Sequence, residues 1–219
     1  IMRTLSENTS RLNKALSRLA SGSKIVSPAD DAAGLAVASK FDAQISRNRG
    51  VQSNLTSALS YSQTQDGFLQ KVGKALDRMS ELSTLALDTT KSTSDITNYN
   101  TEFTDLKAYI SDIGTKAFNG VSLFSGTGLA ITKDSDAGTW SLNASSLNAV
   151  DVTSVVASAF AVNSTSAVAT LATAIENVAT HRAKVGANIQ RIQFTQEQVS
   201  ILNENLQASV SRIKDVDVA

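Results

Sequence analysis

The sequence predicts a mainly α fold, an elongated bundle of long antiparallel helices with a small β-hairpin insertion. Two observations lead to this fold class. Apolar residues recur in alternating steps of four and three along most of the chain, which is the seven-residue repeat of helices packed side by side. Between residues 121 and 142 this repeat gives way to short β-like runs separated by turns that contain glycine.

The composition narrows the class of function. The chain carries 20 basic and 20 acidic residues, so no basic surface dominates and nucleic acid is not an expected partner. Cysteine is absent, which excludes a disulfide framework and a thiol site. The nearest candidate for a membrane span, Val152–Ile175, is too rich in Ser, Thr and Asn, and membrane insertion is therefore not expected.

The first helix is predicted over residues 4–19, where Leu5, Leu12 and Leu19 share one face, and it ends near Ser21-Gly22. The next stretch predicts a second helix start. Ser27 is expected to cap it, Pro28 suits the first helical position, and Asp30 stands where a capping-box carboxylate reaches back.

Two further helices precede the β-like region. A long one is expected from Phe41 to about Ala86, and a third from about Ile96 to Ile113, ending at Gly114. Asn119-Gly120 is a turn dipeptide. The short runs Val121–Phe124, Leu129–Ile131 and Thr139–Leu142 predict one or two hairpins.

The last helix carries the longest repeat, over Leu171–Ile213, and is expected to start near Ser164 or Ser166. At 1.5 Å per residue it would extend roughly 60 Å. Its core-facing seam is predicted at Leu171, Ile175, Val178, Arg182, Val185, Ile189, Ile192, Gln196, Val199, Asn203, Leu206, Val210 and Ile213.

No set of residues predicts catalysis, a metal site or a cofactor. His181 is the one histidine, and it is expected on the surface of the last helix. Asp30-Asp31 is interpreted as a helix start rather than a metal site, because no third ligand lies nearby in sequence. Arg47-Asn48-Arg49 forms a small basic spot, expected to be a solvated face or a subunit contact. The chain is therefore not expected to be an enzyme.

Several motifs resemble those of bacterial flagellins. Leu19-Ala20-Ser21-Gly22 and Asp30-Asp31-Ala32-Ala33-Gly34 are similar to the N-terminal signature of that family. The same holds for Phe118-Asn119-Gly120, for the Arg182-Ala183 run and for the ending Ser211-Arg212-Ile213 with Asp215. The resemblance covers roughly residues 4–125 and 168–219.

This resemblance implies a structural subunit of the flagellar filament, which self-assembles into a helical tube for motility outside the cell. Its partners would be further copies of itself, the flagellar export apparatus and a chaperone. The expected organisation is a terminal helix segment over residues 1–22, a rod-like helical domain over 23–125 and 165–219, and a short variable β-containing insertion over 126–164.

The family resemblance also sets expectations for the chain ends. Flagellins have further terminal segments that pair as a coiled coil, and the chain is expected to be truncated at both ends, without the C-terminal segment that a chaperone would bind. A chain of this length is then expected to be a soluble monomer that does not polymerise.

An innate immune receptor is a further partner that the resemblance implies. The family's receptor-binding stretch is similar to residues 76–82, and Arg78, Glu81 and Leu82 match its motif. Ser80 and Ala108 differ from the residues usual there, so weakened binding is expected.

Two alternative functions stay open at this stage, a hook–filament junction protein and a cell-surface adhesin built on the same fold. The adhesin's ligand contact would be Trp140, as an exposed indole. Packing of Trp140 across a hairpin is the favoured interpretation.

Overall fold

A computed structural model describes residues 2–147, Val155 and residues 162–216 of the chain. Within these residues, four long helices and four short strands follow one another in the order α1 (Met2–Ser21), α2 (Ala32–Ala86), α3 (Thr93–Gly114), β1 (Ala117–Phe118), β2 (Val121–Ser122), β3 (Ala130–Thr132), β4 (Thr139–Ser141) and α4 (Thr165–Lys214). The predicted fold class, mainly α with a small hairpin insertion, is confirmed.

The start of α2 differs from the prediction. Asp31, not Ser27, caps the helix, because its Oδ1 accepts a hydrogen bond from the Gly34 amide at 2.8 Å. The residues before it form a turn, closed by a 3.0 Å bond from the Asp30 amide to the Ser27 carbonyl. The predicted reach of the Asp30 carboxylate back to the Ser27 amide is present at 3.2 Å, but Pro28 lies in the turn and not in a helix.

The other helix ends follow their capping residues. Ser92 caps α3 in a capping box with Asp95, and the helix ends at Gly114 as predicted. Ser164 precedes α4, and its hydroxyl accepts a hydrogen bond from the Ala167 amide at 3.2 Å. The predicted start of the last helix is therefore confirmed.

The strands form two antiparallel hairpins, which agrees with the prediction of one or two. β1 pairs with β2 through a two-residue turn in which Asn119 and Gly120 have φ values of 49° and 78°. Both central residues of a type I′ turn need positive φ, which explains this dipeptide. β3 pairs with β4, and Ile131 lies opposite Trp140.

The chain divides into two compact units. The first comprises Ile1–Ser53, Lys133–Gly138 and Thr195–Ala219, and its core includes Ile45, Val51 and Val199. The second comprises Asn54–Thr132 and Thr139–Phe194. Its core is richer in large side chains, among them Leu55, Leu69, Leu76, Met79, Leu82, Phe103, Ile110, Phe124, Leu171 and Ile192.

The buried seam of α4 differs from the prediction over its first half. Ala174, His181 and Asn188 are buried there, whereas Ile175 and Ile189 are half-buried and Arg182 is exposed. Leu171, Val178, Val185 and Ile192 are buried as predicted, so only the alternate seam positions move by one residue. The buried face is therefore rotated by about half a residue relative to the predicted seam. The expectation that His181 lies on the surface was wrong, because its side chain is 9% exposed.

The first helix, α1, contains no buried residue. Its face of Leu5, Leu12, Leu16 and Leu19 is exposed by 54–68%. None of the described helices combines the length and the apolar character needed to cross a membrane.

Candidate functional site

The motifs at the two ends of the chain meet in one place, which we call the terminal junction (residues 21–31 and 211–216). The Lys24 amide donates a hydrogen bond to the Lys214 carbonyl at 2.6 Å, and the Val216 amide donates to the Gly22 carbonyl at 3.1 Å. The Ser23 hydroxyl also donates to the Lys214 carbonyl, at 3.0 Å. Two of these bonds satisfy the Lys214 carbonyl at the end of α4, which has no partner within the helix.

Glycine is required at the start of the terminal junction. Gly22 has a φ of +65°, a conformation that costs other residues free energy because of their Cβ atom. The turn it makes ends α1 and directs the chain to the end of α4, as the hydrogen bond to Val216 shows. Ser21, the last residue of α1, donates from its hydroxyl to the Arg18 carbonyl at 3.3 Å.

The Asp30 carboxylate binds both cationic side chains and backbone amides at the terminal junction. The side chain is 7% exposed and forms a salt bridge with Lys14, and Arg18 lies 3.9 Å away. The carboxylate also accepts hydrogen bonds from the Val26 and Ser27 amides. The Lys14 ammonium and these amides lower the pKa of Asp30 to about 2.

Asp31 and Gly34 act together at the start of α2. A Cβ atom at position 34 would overlap the Asp31 carboxylate that caps the helix. The Asp-Asp-Ala-Ala-Gly motif therefore combines three local tasks, which are a salt bridge at Asp30, a helix cap at Asp31 and the space for that cap at Gly34.

The C-terminal motif residues have different roles. Ser211 donates from its hydroxyl to the Asp215 carboxylate at 2.5 Å, and Lys214 forms a 2.5 Å salt bridge with Asp42 on α2. Arg212 is exposed and Ile213 is half-buried. The sequence pattern did not indicate Lys214, although it joins α4 to the terminal junction and to α2.

The Phe118-Asn119-Gly120 motif holds the first hairpin against α2. The Phe118 ring lies edge-to-face with Tyr61, with ring centroids 6.1 Å apart. The Tyr61 hydroxyl donates to the Ser122 carbonyl at 2.8 Å, and Gln65 donates to the Leu123 carbonyl at 2.5 Å. A groove of about 280 Å³ lies beside this hairpin, between α2 and the second hairpin.

Arg182 belongs to a surface contact, not to the core. It donates from Nε to the Asp66 carboxylate at 2.9 Å, which raises the pKa of its guanidinium above the usual value. This salt bridge joins α4 to α2 in the second unit.

The three residues of the predicted receptor contact differ in exposure. Arg78 is exposed and donates to Glu102 at 2.6 and 2.9 Å and to Glu81 at 2.8 Å. Leu82 has no exposed surface, so its side chain is part of the core and unavailable to a partner. The inclusion of Leu82 in a receptor contact was wrong, and Arg78 and Glu81 are the exposed members of the set.

Trp140 is packed inside the second unit. Its side chain is 8% exposed, and the Arg191 guanidinium lies 4.1 Å from the ring centroid. The Asn188 side chain binds the backbone of Asn143. Its Oδ1 accepts a hydrogen bond from the Asn143 backbone amide at 2.9 Å, and its Nδ2 donates to the Asn143 carbonyl at 3.1 Å. The exposed indole expected for an adhesin was therefore wrong, and the favoured interpretation of hairpin packing holds.

No group of three or more His, Cys, Asp or Glu side chains that could hold a metal ion occurs among the described residues. The residues that the motifs identify bind one another through caps, salt bridges and backbone hydrogen bonds. These contacts are structural, both at the terminal junction in the first unit and at the first hairpin in the second unit.

Comparisons with known proteins match both ends of the chain. The family model described as the bacterial flagellin N-terminal helical region matches residues 1–129, and that of the C-terminal helical region matches residues 168–219. A flagellin of Halalkalibacterium halodurans is 32% identical over 224 residues, which cover 99% of this chain and 82% of the relative. The flagellar filament 33 kDa core protein of Treponema phagedenis is 30% identical over 238 residues, covering 99% of this chain and 83% of the relative.

The crystal structure of Bacillus cereus flagellin has the same fold, with a TM-score of 0.59 and 24% identity over 67% of this chain and 88% of that one. Fold and site together define a structural protein whose two ends build one helical bundle. The chain belongs to the bacterial flagellin family.

Proposed function

We propose that this chain is a structural subunit of the bacterial flagellar filament, which copies of it build by self-assembly for motility. The observation that carries this function is the match of both chain ends to the flagellin family, with the matched motifs joined at the terminal junction. Relatives named as flagellins and filament core proteins, which are 32% and 30% identical to it over the aligned residues, support the same role.

The filament is an extracellular appendage, and further copies of the chain are its main partners. The flagellar export apparatus and a chaperone are proposed as transient partners. The proposed organisation keeps residues 1–22 as a terminal helix segment and 23–125 with 165–219 as the helical domain. The insertion is proposed over 126–164, most of which lies outside the described residues.

Recognition by an innate immune receptor is proposed through Arg78 and Glu81. Both lie on the exposed side of α2, and Arg78 is already bound to the Glu102 carboxylate of α3. A receptor carboxylate would compete with Glu102 for the guanidinium, so weak recognition is expected. A receptor reporter assay tests this, with Lys71→Ala on the same helix as the matched control for Arg78→Ala.

Seeded assembly tests the filament function. The complete gene product that contains this chain is mixed with short filament seeds and examined by negative-stain electron microscopy. Long tubes are expected for the unchanged protein, and a protein that stays monomeric would contradict the proposal. The variant Gly22→Val should lose assembly because valine disfavours a φ of +65°, whereas Gly67→Ala, at an exposed helical position with open space around it, should assemble normally.

A further inference from the structure

We propose that one copy of this chain binds the next through two different faces of the first unit. The acidic face consists of Phe194, Glu197, Ile201 and Glu204 on α4. The basic face consists of Val37, Lys40, Gln44 and Arg47 on α2. This inference rests on the proposed filament function and assigns the residues of one contact between subunits.

The acidic face shows apolar side chains that a stable helix does not need to expose. Ile201 is 52% exposed, while Val199 and Asn203, on the other side of α4, are buried. Phe194, seven residues before Ile201 and therefore on the same stripe of the helix, is 66% exposed. Exposed apolar residues that share one stripe and have a polar border are typical of protein interaction surfaces.

The border of this face is negatively charged. Glu197 and Glu204 are exposed and seven residues apart, and no salt bridge to either of them is found within the described ranges. Because neither carboxylate is paired with a described residue, both are available to a second molecule.

The basic face repeats this arrangement with opposite charge. Lys40 and Arg47 are exposed and also seven residues apart, and Val37, beside Lys40, is 40% exposed. The Arg47 Nε donates to the Ser135 carbonyl at 3.0 Å, which orients the guanidinium. Neither cation has a salt bridge to another part of the chain that the structure describes.

The two pairs of charges match in spacing. Seven residues of helix extend roughly 10.5 Å at 1.5 Å per residue, so both salt bridges can form at once between one α4 and one α2. A symmetric dimer through either face alone would place like charges together, which disfavours it. The contact therefore joins unlike faces, and such head-to-tail contacts generate open helical assemblies.

Charge reversal on each face tests the contact in the complete gene product. Glu197→Lys with Glu204→Lys makes both faces basic, and Lys40→Glu with Arg47→Glu makes both faces acidic. Each double variant should raise the critical concentration for seeded assembly by about tenfold or more, because like charges then meet across the contact. An equimolar mixture of the two variants should assemble close to the unchanged protein, since every contact between unlike variants again pairs opposite charges.

Recovery of assembly in the mixture would show that each double variant disrupts a contact between subunits and does not prevent folding. Lys71→Glu with Lys74→Glu, a reversal of two exposed lysines elsewhere on α2, is the matched control and should assemble normally. Circular dichroism melting curves check that each variant folds. Phe194→Ser with Ile201→Ser should also raise the critical concentration while the monomer keeps its melting temperature, because both side chains are exposed.

The outcomes distinguish this contact from the filament function itself. If the unchanged protein fails to assemble, the proposed function is wrong. If it assembles and both charge-reversed variants assemble equally well, or if the mixture stays as deficient as each folded variant alone, the two-face contact is overturned. Normal assembly with lost binding to a different flagellar component would assign the acidic face to that partner and likewise overturn the proposal.

Discussion

Asn48 of α2 donates a hydrogen bond from its side-chain amide to the side-chain oxygen of Asn203 on α4, at 3.1 Å in the interior of the first unit. Asn48 has no exposed surface and Asn203 is 8% exposed. The Asn48 oxygen has no hydrogen-bond partner among the residues that the structure describes. A buried polar pair of this kind fixes the register of two packed helices while contributing little net stability.

Removing one member of this pair should cost more than removing both. Asn203→Leu leaves the Asn48 amide buried without a partner and should lower the free energy of unfolding by about 1–3 kcal/mol. The double variant with Asn48→Leu should recover most of that loss. Denaturant unfolding measures both, with Asn205→Leu on the exposed side of α4 as the control. Equal losses in the single and double variants would contradict a polar origin of the effect.

A methyl group at position 34 should disrupt the cap of α2. Gly34→Ala forces the Asp31 carboxylate away from the helix start and should lower the stability of the fold by about 1–2 kcal/mol, the typical worth of an N-cap. Gly50→Ala, in the interior of the same helix with no atom near its Cβ, should raise the stability by about 0.5–1 kcal/mol. Thermal unfolding distinguishes the two. A stabilising effect of both substitutions would show that the cap is dispensable.

Acidification should weaken the fold in two separate pH ranges. Burial, with a smaller contribution from Lys184, lowers the pKa of His181 below its usual value of 6.5. The unfolded chain therefore binds the proton more readily, and stability should fall as the pH drops below about 6.5, by no more than ~1.4 kcal/mol per pH unit. The contribution of Asp30 to the free energy of unfolding should be complete above pH 3.8 and should be lost as the pH falls towards 2, because its pKa is lowered from 3.8 to about 2 in the folded chain.

The variant His181→Gln isolates the first of these ranges. It should flatten the dependence of unfolding free energy on pH between 5 and 7, whatever its effect on stability at neutral pH. An unchanged dependence of the unfolding free energy on pH would show that groups other than His181 titrate in that range. Asp30→Asn should reduce the fall in stability below pH 4, to which Asp88, Asp95 and Glu102 also contribute because their pKa values are likewise lowered.

The single tryptophan should report on the docking of the second hairpin. Because Trp140 is 8% exposed and covered by Arg191, its fluorescence should resist quenching by acrylamide in the folded protein and become accessible on unfolding. Arg191→Met should keep the indole buried but change its emission, since the cation over the ring is removed. Quenching as strong as that of a free indole would show that the hairpin does not stay packed.

The helices were predictable because their signal is spread over many residues. Seven-residue spacing persists across α4, and Ser164 has the capping chemistry expected at a helix start. The third helix ends at Gly114 as predicted, although Thr115 is the residue that caps it. The hairpin turn was equally predictable, since Asn119-Gly120 suits two successive positive φ values. Each of these features depends on local chemistry.

The features that the sequence did not indicate depend on which face of a helix packs against the rest of the fold. Ile175 and Ile189 are more apolar than Ala174 and Asn188, yet the smaller and more polar residues lie in the core. Asn188 is buried there because it binds both backbone groups of Asn143, a contact that no spacing rule contains. Leu82 is another residue whose burial was not indicated, because its match to a family motif does not say whether the side chain is exposed.

The hydrogen bond from the Ser23 hydroxyl to the Lys214 carbonyl joins residues 191 positions apart. A bond of that span closes almost the whole chain into a loop, so its formation is slow relative to that of the local helices. The terminal junction is therefore expected to form after the helices that it joins.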